Sequence, residues 1–414
     1  MLRISGVRTF HDLFRTPEFT PLFLCTTGHA AATTVSGLAL GTLVYSSTGS
    51  PLLAALSMFG PSLAQVVGAL ALLSAADRLP PRAALTGLSL AFCLGTAAQA
   101  VPGMPLSVRF TVLALMGLLA SLVGGVRYGL LHEILSRDGF LIGRSTLNMT
   151  AGTMQICGYA LGGALLTTAS PRVVLLVAAA LHLGAAAVER GGLSRRPPRA
   201  AGRISVTRTW KNNALLWSSS PRRHVYLALW VPNGLIVGCE SLFVPHAPGH
   251  AGLLFAAGAF GMLLGDVLVG RFVPRRWRVR LGAPLRLLLA APYLVFALRP
   301  PLAVSVLAVV VASVGFSASL LLQERLMELT PDELSGHALG LHSCGMLTMQ
   351  GVGAALAGAL AQGTSTTTAM ALLALASVTV TLALAPGLRP GGTGSSTTGA
   401  AAPDPVPPSG ATGG

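Results

Sequence analysis

Met154–Leu166 reads MQICGYALGGALL and Met349–Ala361 reads MQGVGAALAGALA; eight of the thirteen positions agree at a fixed offset of 195 residues. The same offset carries Glu133 onto Glu328 and Asp138 onto Glu333. The chain therefore reads as one unit present twice, head to tail. Short soluble repeats recur many times at periods of about 20–50 residues, which is not the pattern here. One long period in an apolar chain is the mark of doubled bundles with a path at their interface.

Composition sets the medium. Of 414 residues, 52% are hydrophobic and only 10% charged, where a soluble domain carries about 25% charged residues. An outer face so poor in charge must meet lipid. Apolar segments fall at 20–45, 52–74, 83–101, 109–131, 146–168 and 172–188, and again at 224–244, 250–270, 282–298, 301–323, 339–361 and 366–386. Each is about the ~20 residues a helix needs to cross a bilayer, and in lipid the backbone must satisfy its own hydrogen bonds, so each is expected to be helical. The fold class is an all-α integral membrane protein: twelve transmembrane helices in two six-helix bundles related by pseudo-two-fold symmetry. The expected organisation is an N-terminal bundle over 1–189, a basic inter-bundle loop over 190–223, a C-terminal bundle over 224–388 and a disordered Gly/Pro/Ser/Thr tail over 389–414.

The formal charge of +15 does not point to nucleic acid, because the basic residues lie between apolar segments rather than on one folded face. With the N-terminus inside, 23 of the 28 Lys and Arg fall on one side of the membrane and only Arg109, Arg172 and Arg299 on the other, leaving Arg127 and Arg286 within segments. Positive charge collects on the cytoplasmic side, so both termini are expected in the cytoplasm of a bacterial cell with the chain in the inner membrane. The five cysteines are scattered through apolar segments with no metal-type pairing; no cofactor or metal is expected. No secretory leader is expected ahead of the first span.

Several local patterns carry a family likeness. They are LVYSSTGSPLLAAL after the first span, ADRLPPRAAL between spans two and three, GYALGG in the fifth span, and the paired stretches LHEILSRDGFLIGRSTLN and LMELTPDELSGHALGLHS. Over about residues 10–386 the chain resembles the major facilitator superfamily, and within it the bacterial twelve-helix drug and siderophore exporters. The resemblance implies a gating role for Asp77, Arg78 and Arg82 in a signature loop of usual form G-x-x-x-D-R-x-G-R-R, from which Leu73 and Pro80 depart. Tyr159 stands where the exporter motif has proline, and Gly28–His29 where relatives often carry Gly-Asp.

Ionisable residues inside a membrane are candidates for function. His29, Glu240, Asp266 and Arg127 form the candidate proton or substrate site, with Arg127 expected in an ion-pair network with Glu133 or Asp266. An imidazole can exchange a proton near neutral pH, and a helix-packing histidine is the alternative for His29. Gln65, Asn148, Gln155, Asn233 and Gln350 are candidates to line the path. Gly158, Gly162, Gly163, Gly353 and Gly358 form an exporter-like, helix-packing motif, since small residues let helices approach closely in lipid. Aromatics are sparse, at 6%, and no aromatic cage is evident.

The reading these features support is a monomeric secondary active transporter that exports a small hydrophobic compound, such as a drug or secondary metabolite, by proton-coupled alternating access. Its partners are the lipid bilayer, a small-molecule substrate and protons, with no nucleic acid. Import of a nutrient by the same fold and a non-transporting membrane sensor stay open as alternatives. An enzyme is not expected, because no acid pair or metal-ligand cluster of the kind catalysis at a membrane needs is present.

Overall fold

The computed structural model describes residues 10–72, 78–198 and 206–388. Among the described residues the chain is helical and contains no strand. Twelve long helices follow in order: α1 (Phe19–Thr48), α2 (Pro51–Leu72), α3 (Pro81–Gln99), α4 (Leu106–Ile134), α5 (Arg137–Thr168) and α6 (Pro171–Gly192). The second six are α7 (Ser220–His246), α8 (Ala251–Phe272), α9 (Arg275–Ala290, continued as a 3₁₀ helix over Ala291–Leu298), α10 (Leu302–Glu328), α11 (Ser335–Gly363) and α12 (Thr366–Leu384). All but α1, α3 and α5 are long and apolar enough to cross a membrane. α1 and α5 are interrupted by Thr, Ser, Asn and Gln, and α3 by Thr86, Ser89, Thr96 and Gln99. The segment between the halves holds a further helix, Val206–Ser218. The tail beyond residue 388 lies outside the described residues.

Helix ends follow local chemistry. Gly49 closes α1 with φ +63°, a left-handed turn that favours glycine, and its N–H bonds Tyr45 O. Ser136, Ser170 and Ser365 each accept a backbone N–H at the start of α5, α6 and α12. The α3–α4 turn is held by a buried clamp. Arg109 Nη1 donates to Gln99 O at 2.9 Å and Gln99 Oε1 at 3.1 Å, and Gln99 Nε2 donates to Arg109 O at 3.1 Å. Both side chains are buried. Arg109→Ala strands the Gln99 groups and is expected to cost about 2 kcal/mol of stability, seen as a lower melting temperature in detergent; an unchanged melting temperature would contradict the clamp.

The two bundles meet unequally along their length. One apolar core spans both of them: Leu38 of α1 with Phe243, Leu254, Phe255, Tyr293 and their neighbours of the second bundle. It lies toward the end opposite the termini. At the end bearing the termini the cores are separate. One holds Leu13, Phe19, Leu85, Leu130 and Leu147 of the first bundle; the other holds Leu216, Tyr226, Leu322 and Leu326 of the second half. Across the interface α2 packs on α11 and α5 on α8. The basic ends therefore surround the end at which the two halves do not share a core.

Candidate functional site

The duplicated glycines explain how the bundles close. Gly158 faces Thr34 of α1, where an added Cβ would stand 2.9 Å from the threonine Cβ. Its counterpart Gly353 sits on the backbone of α7 at Gly234. Gly163 crosses to the other bundle, where a Cβ would lie 2.9 Å from Gly252 Cα on α8. Its counterpart Gly358 crosses the opposite way, onto Leu52 Cα of α2 at 2.5 Å. The first glycine of each copy thus packs α5 or α11 on the leading helix of its own bundle, and the second packs it on the second helix of the other bundle. Gly162, the unduplicated member, meets Val35 Cα at an ordinary 3.5 Å. Ser50 Oγ accepts from Gln362 Nε2 at 2.8 Å across the same end.

Just inside this closure stands Glu240. Residues Pro232–Ser241 of α7 are buried without a break, so this stretch is enclosed on all sides rather than along one stripe. Glu240 is 8% exposed, and its Oε1 has no hydrogen-bond partner. The carboxylate lies over Gly258 of α8, whose hydrogen leaves it room; a Cβ there would be 3.7 Å from Oε1 and 3.5 Å from Ser313 Oγ of α10. Phe243, three residues on along α7, links this end of the helix to Tyr293 of α9 directly and to Tyr159 of α5 through Phe255.

Five of the chain's aromatics lie together here. Tyr159 stacks on Phe255 at 4.7 Å across the bundle interface, Phe255 meets Phe243 edge-on at 5.0 Å, and Tyr293 stacks on Phe296 at 5.6 Å. Tyr159, the residue in the place of the motif proline, thereby supplies the first bundle's contact to the site. Gln155, one turn earlier and half-buried, is directed to the Tyr159 hydroxyl.

A second polar cluster lies wholly inside the first bundle. His29 of α1 does not face the bundle interface; it packs between Phe92 of α3 and His182 of α6, each ring centroid 5.1 Å away. Arg127 of α4 is half-buried, and its Nε has no hydrogen-bond partner. No ion pair joins Arg127 to Glu133 or Asp266 among the described residues. Asp266 is exposed on α8, and Glu133 instead pairs with Arg196 at 3.8 Å, beside the Arg196–Glu18 bridge at 2.8 Å.

The remaining candidates separate. Asn233 is buried and donates through Nδ2 to Ser319 Oγ at 3.0 Å, tying α7 to α10. Asn148 is exposed and accepts the Tyr128 hydroxyl at 2.7 Å, with Arg144 over the Tyr128 ring at 5.2 Å. Gln65 and Gln350 are half-buried on α2 and α11, the helices that pack across the interface. Arg78 is exposed and Arg82 half-buried at the start of α3, while Asp77 lies outside the described residues. Glu189 was not among the sequence candidates, because the sixth span was ended at residue 188. Its signal was present: Leu175, Ala178, His182, Ala185, Ala186 and Glu189 form one buried stripe of α6 at helical spacing.

No family model and no curated protein matches the chain. Solved structures do. A POT family transporter in complex with 5-aminolevulinic acid superposes with a TM-score of 0.75 at 10% identity, over 93% of this chain and 99% of that one. A bacterial homologue of the human lysosomal transporter Spinster, in an inward-facing, unoccupied conformation, gives 0.69 at 14% identity over 91% and 96%. A mutant of the nucleoside transporter NupG gives 0.69 at 14% over 89% and 99%. At these identities the likeness is one of fold. Twelve long helices, a duplicated glycine pattern that ties each bundle to the other, and these superpositions together give the chain the fold of the major facilitator transporters.

Proposed function

We propose that the chain is a proton-coupled secondary transporter that exports a small hydrophobic compound by alternating access. The observation that carries the reading is the unequal bundle interface: two symmetry-matched glycine contacts close one end, while the two halves keep separate cores at the other. Two rigid six-helix bodies joined this way can rock about a midplane site, and packed interfaces of this kind have discrete rather than continuous states. The excess of arginine at the unclosed end supports a cytoplasmic position for that end, and on this reading the state is inward-open. The apolar, aromatic surroundings of Glu240 suit a hydrophobic solute, and Glu240 itself supplies a titratable group that is enclosed when the far end closes.

Everted membrane vesicles carrying the protein, energised to an acid interior, test this with a fluorescent hydrophobic dye as probe. Vesicles are expected to accumulate the dye, and a protonophore to abolish the accumulation. Accumulation that survives the protonophore would remove proton coupling. Dye loss from energised vesicles would reverse the direction, and dye movement equal to that of empty vesicles across a chemically varied panel would remove transport.

A further inference from the structure

The first bundle encloses a carboxylate that the interface site does not use. Glu189 is 3% exposed, one turn from the terminus-side end of α6, and its Oε2 has no hydrogen-bond partner. The groups that face it can be named helix by helix. From α1 comes the Cys25 thiol and from α3 the Ser89 hydroxyl, both hydrogen-bonded to the carboxylate, and from α4 the Arg127 guanidinium; His182, two turns back on α6, and His29 of α1 lie beyond, in contact with each other. The one charge on α3, Arg82, lies at the same terminus-side end, about two turns from Ser89. His29, Phe92 and His182 form a contiguous ring triad, with centroids 5.1, 5.1 and 5.6 Å apart.

Three polar atoms of this cluster are buried without partners: Glu189 Oε2, Arg127 Nε and His182 Nδ1. A structural ion pair would join Glu189 to Arg127 directly, and no such bridge stands here among the described residues. A packing role would be met by alanine, as it is at Ala185 and Ala186 on the same stripe. What the arrangement does provide is a buried carboxylate with one oxygen unpartnered and hydrogen bonds from Ser89 and Cys25, the Arg127 guanidinium on α4, and two imidazoles beyond. A buried carboxylate with one oxygen left unpaired is costly inside a membrane and is kept where it titrates.

We infer that Glu189 is a second proton-binding site, inside the first bundle and separate from Glu240, at which the carboxylate holds a proton until it is released to the cytoplasm in the inward-open state and then turns to Arg127. The inference rests on the proton-coupled reading above and adds a second carrier on the cytoplasmic side of the bundle. His29 and His182 extend the polar contact inward from it toward the middle of the membrane.

Infrared difference spectra of the protein in lipid vesicles, taken between about pH 5 and about pH 8, read protonated carboxyl groups directly through a carbonyl band that shifts in D₂O, and need no substrate. The wild type is expected to show two such components. Glu189→Gln should remove one, Glu240→Gln the other, and the double variant both. If Glu189→Gln does not give folded protein, Glu189→Asp should fold and move the band. A spectrum that Glu189→Gln leaves unchanged, or a Glu189→Asp band that does not move, overturns the inference. If the Glu240 component titrates and no Glu189 component exists, this inference fails alone. If neither carboxylate titrates, the coupling reading fails with it.

Discussion

Gly163→Leu is expected to abolish transport and to hold the protein away from the state described here. The glycine lies where α5 of one bundle touches α8 of the other, and even a Cβ would come within 2.9 Å of Gly252 Cα. Backbone cannot turn aside as a flexible side chain can, so the two helices must separate. Forcing extra methylenes into a packed contact costs about 1–3 kcal/mol, and here the cost falls on one state only, because the contact exists only while this end is closed. Gly358→Leu puts the same load on the matching contact, α11 against Leu52 of α2. Taken as about 2 kcal/mol each and additive for contacts that share no partners, the pair shifts the two-state balance by roughly a thousandfold.

Spin labels at Thr167 and Gly249, which flank the gap between the bundles at this end, should report one short distance in the wild type and a longer one in each leucine variant. Gly162→Ala is the control. It is the neighbouring glycine, but its Cβ would meet Val35 at 3.5 Å, so distance and transport should stay as in the wild type. Leucine at Gly163 with an unchanged distance and normal dye transport would mean that the glycine contact is not the seal.

Those glycines also show what the sequence could carry. Their duplication at a fixed offset was visible, and so was the twelve-helix architecture, because spans in lipid must be long, apolar and self-satisfied in hydrogen bonds. Which glycine packs within a bundle and which packs across was not visible, since both readings give the same letter at the same helical spacing. Site residues were less legible for a related reason. Hydropathy ends a span at its first charges, so Glu189 and Arg190 read as the start of a loop, although α6 continues to Gly192 with Glu189 on its buried stripe. The same rule placed Asp266 inside a span without telling that its side chain is exposed. His29 was found as an intramembrane imidazole, but its direction toward α3 and α6 depends on how those helices pack. The aromatic cluster around Glu240 draws on α5, α7, α8 and α9, and no linear pattern brings together residues as far apart as Tyr159 and Phe296.

Glu240→Gln is expected to uncouple closure of this end from pH. The carboxylate sits behind the seal, with an oxygen that no donor reaches and with Tyr159 contributed by the opposite bundle. Enclosing it as an unpaired charge is costly, by a few kcal/mol even on the lenient insertion scales, whereas the neutral acid can be enclosed at the cost of a polar group alone. Closing this end therefore favours a bound proton, and opening it to the far side lets the proton exchange with that solution. The sign follows. Acid should favour the short Thr167–Gly249 distance and alkali the long one, with the populations changing by roughly tenfold or more for each ~1.4 kcal/mol of that cost. Glutamine keeps the shape and cannot carry the charge, so the variant should show the short distance at every pH. It should still exchange dye down a concentration gradient, since the path is unaltered, but lose accumulation driven by a pH gradient. A variant whose label distance follows pH as the wild type's does would show that the group sensing the proton lies elsewhere, and gradient-driven accumulation at the wild-type level would remove Glu240 from the coupling step altogether.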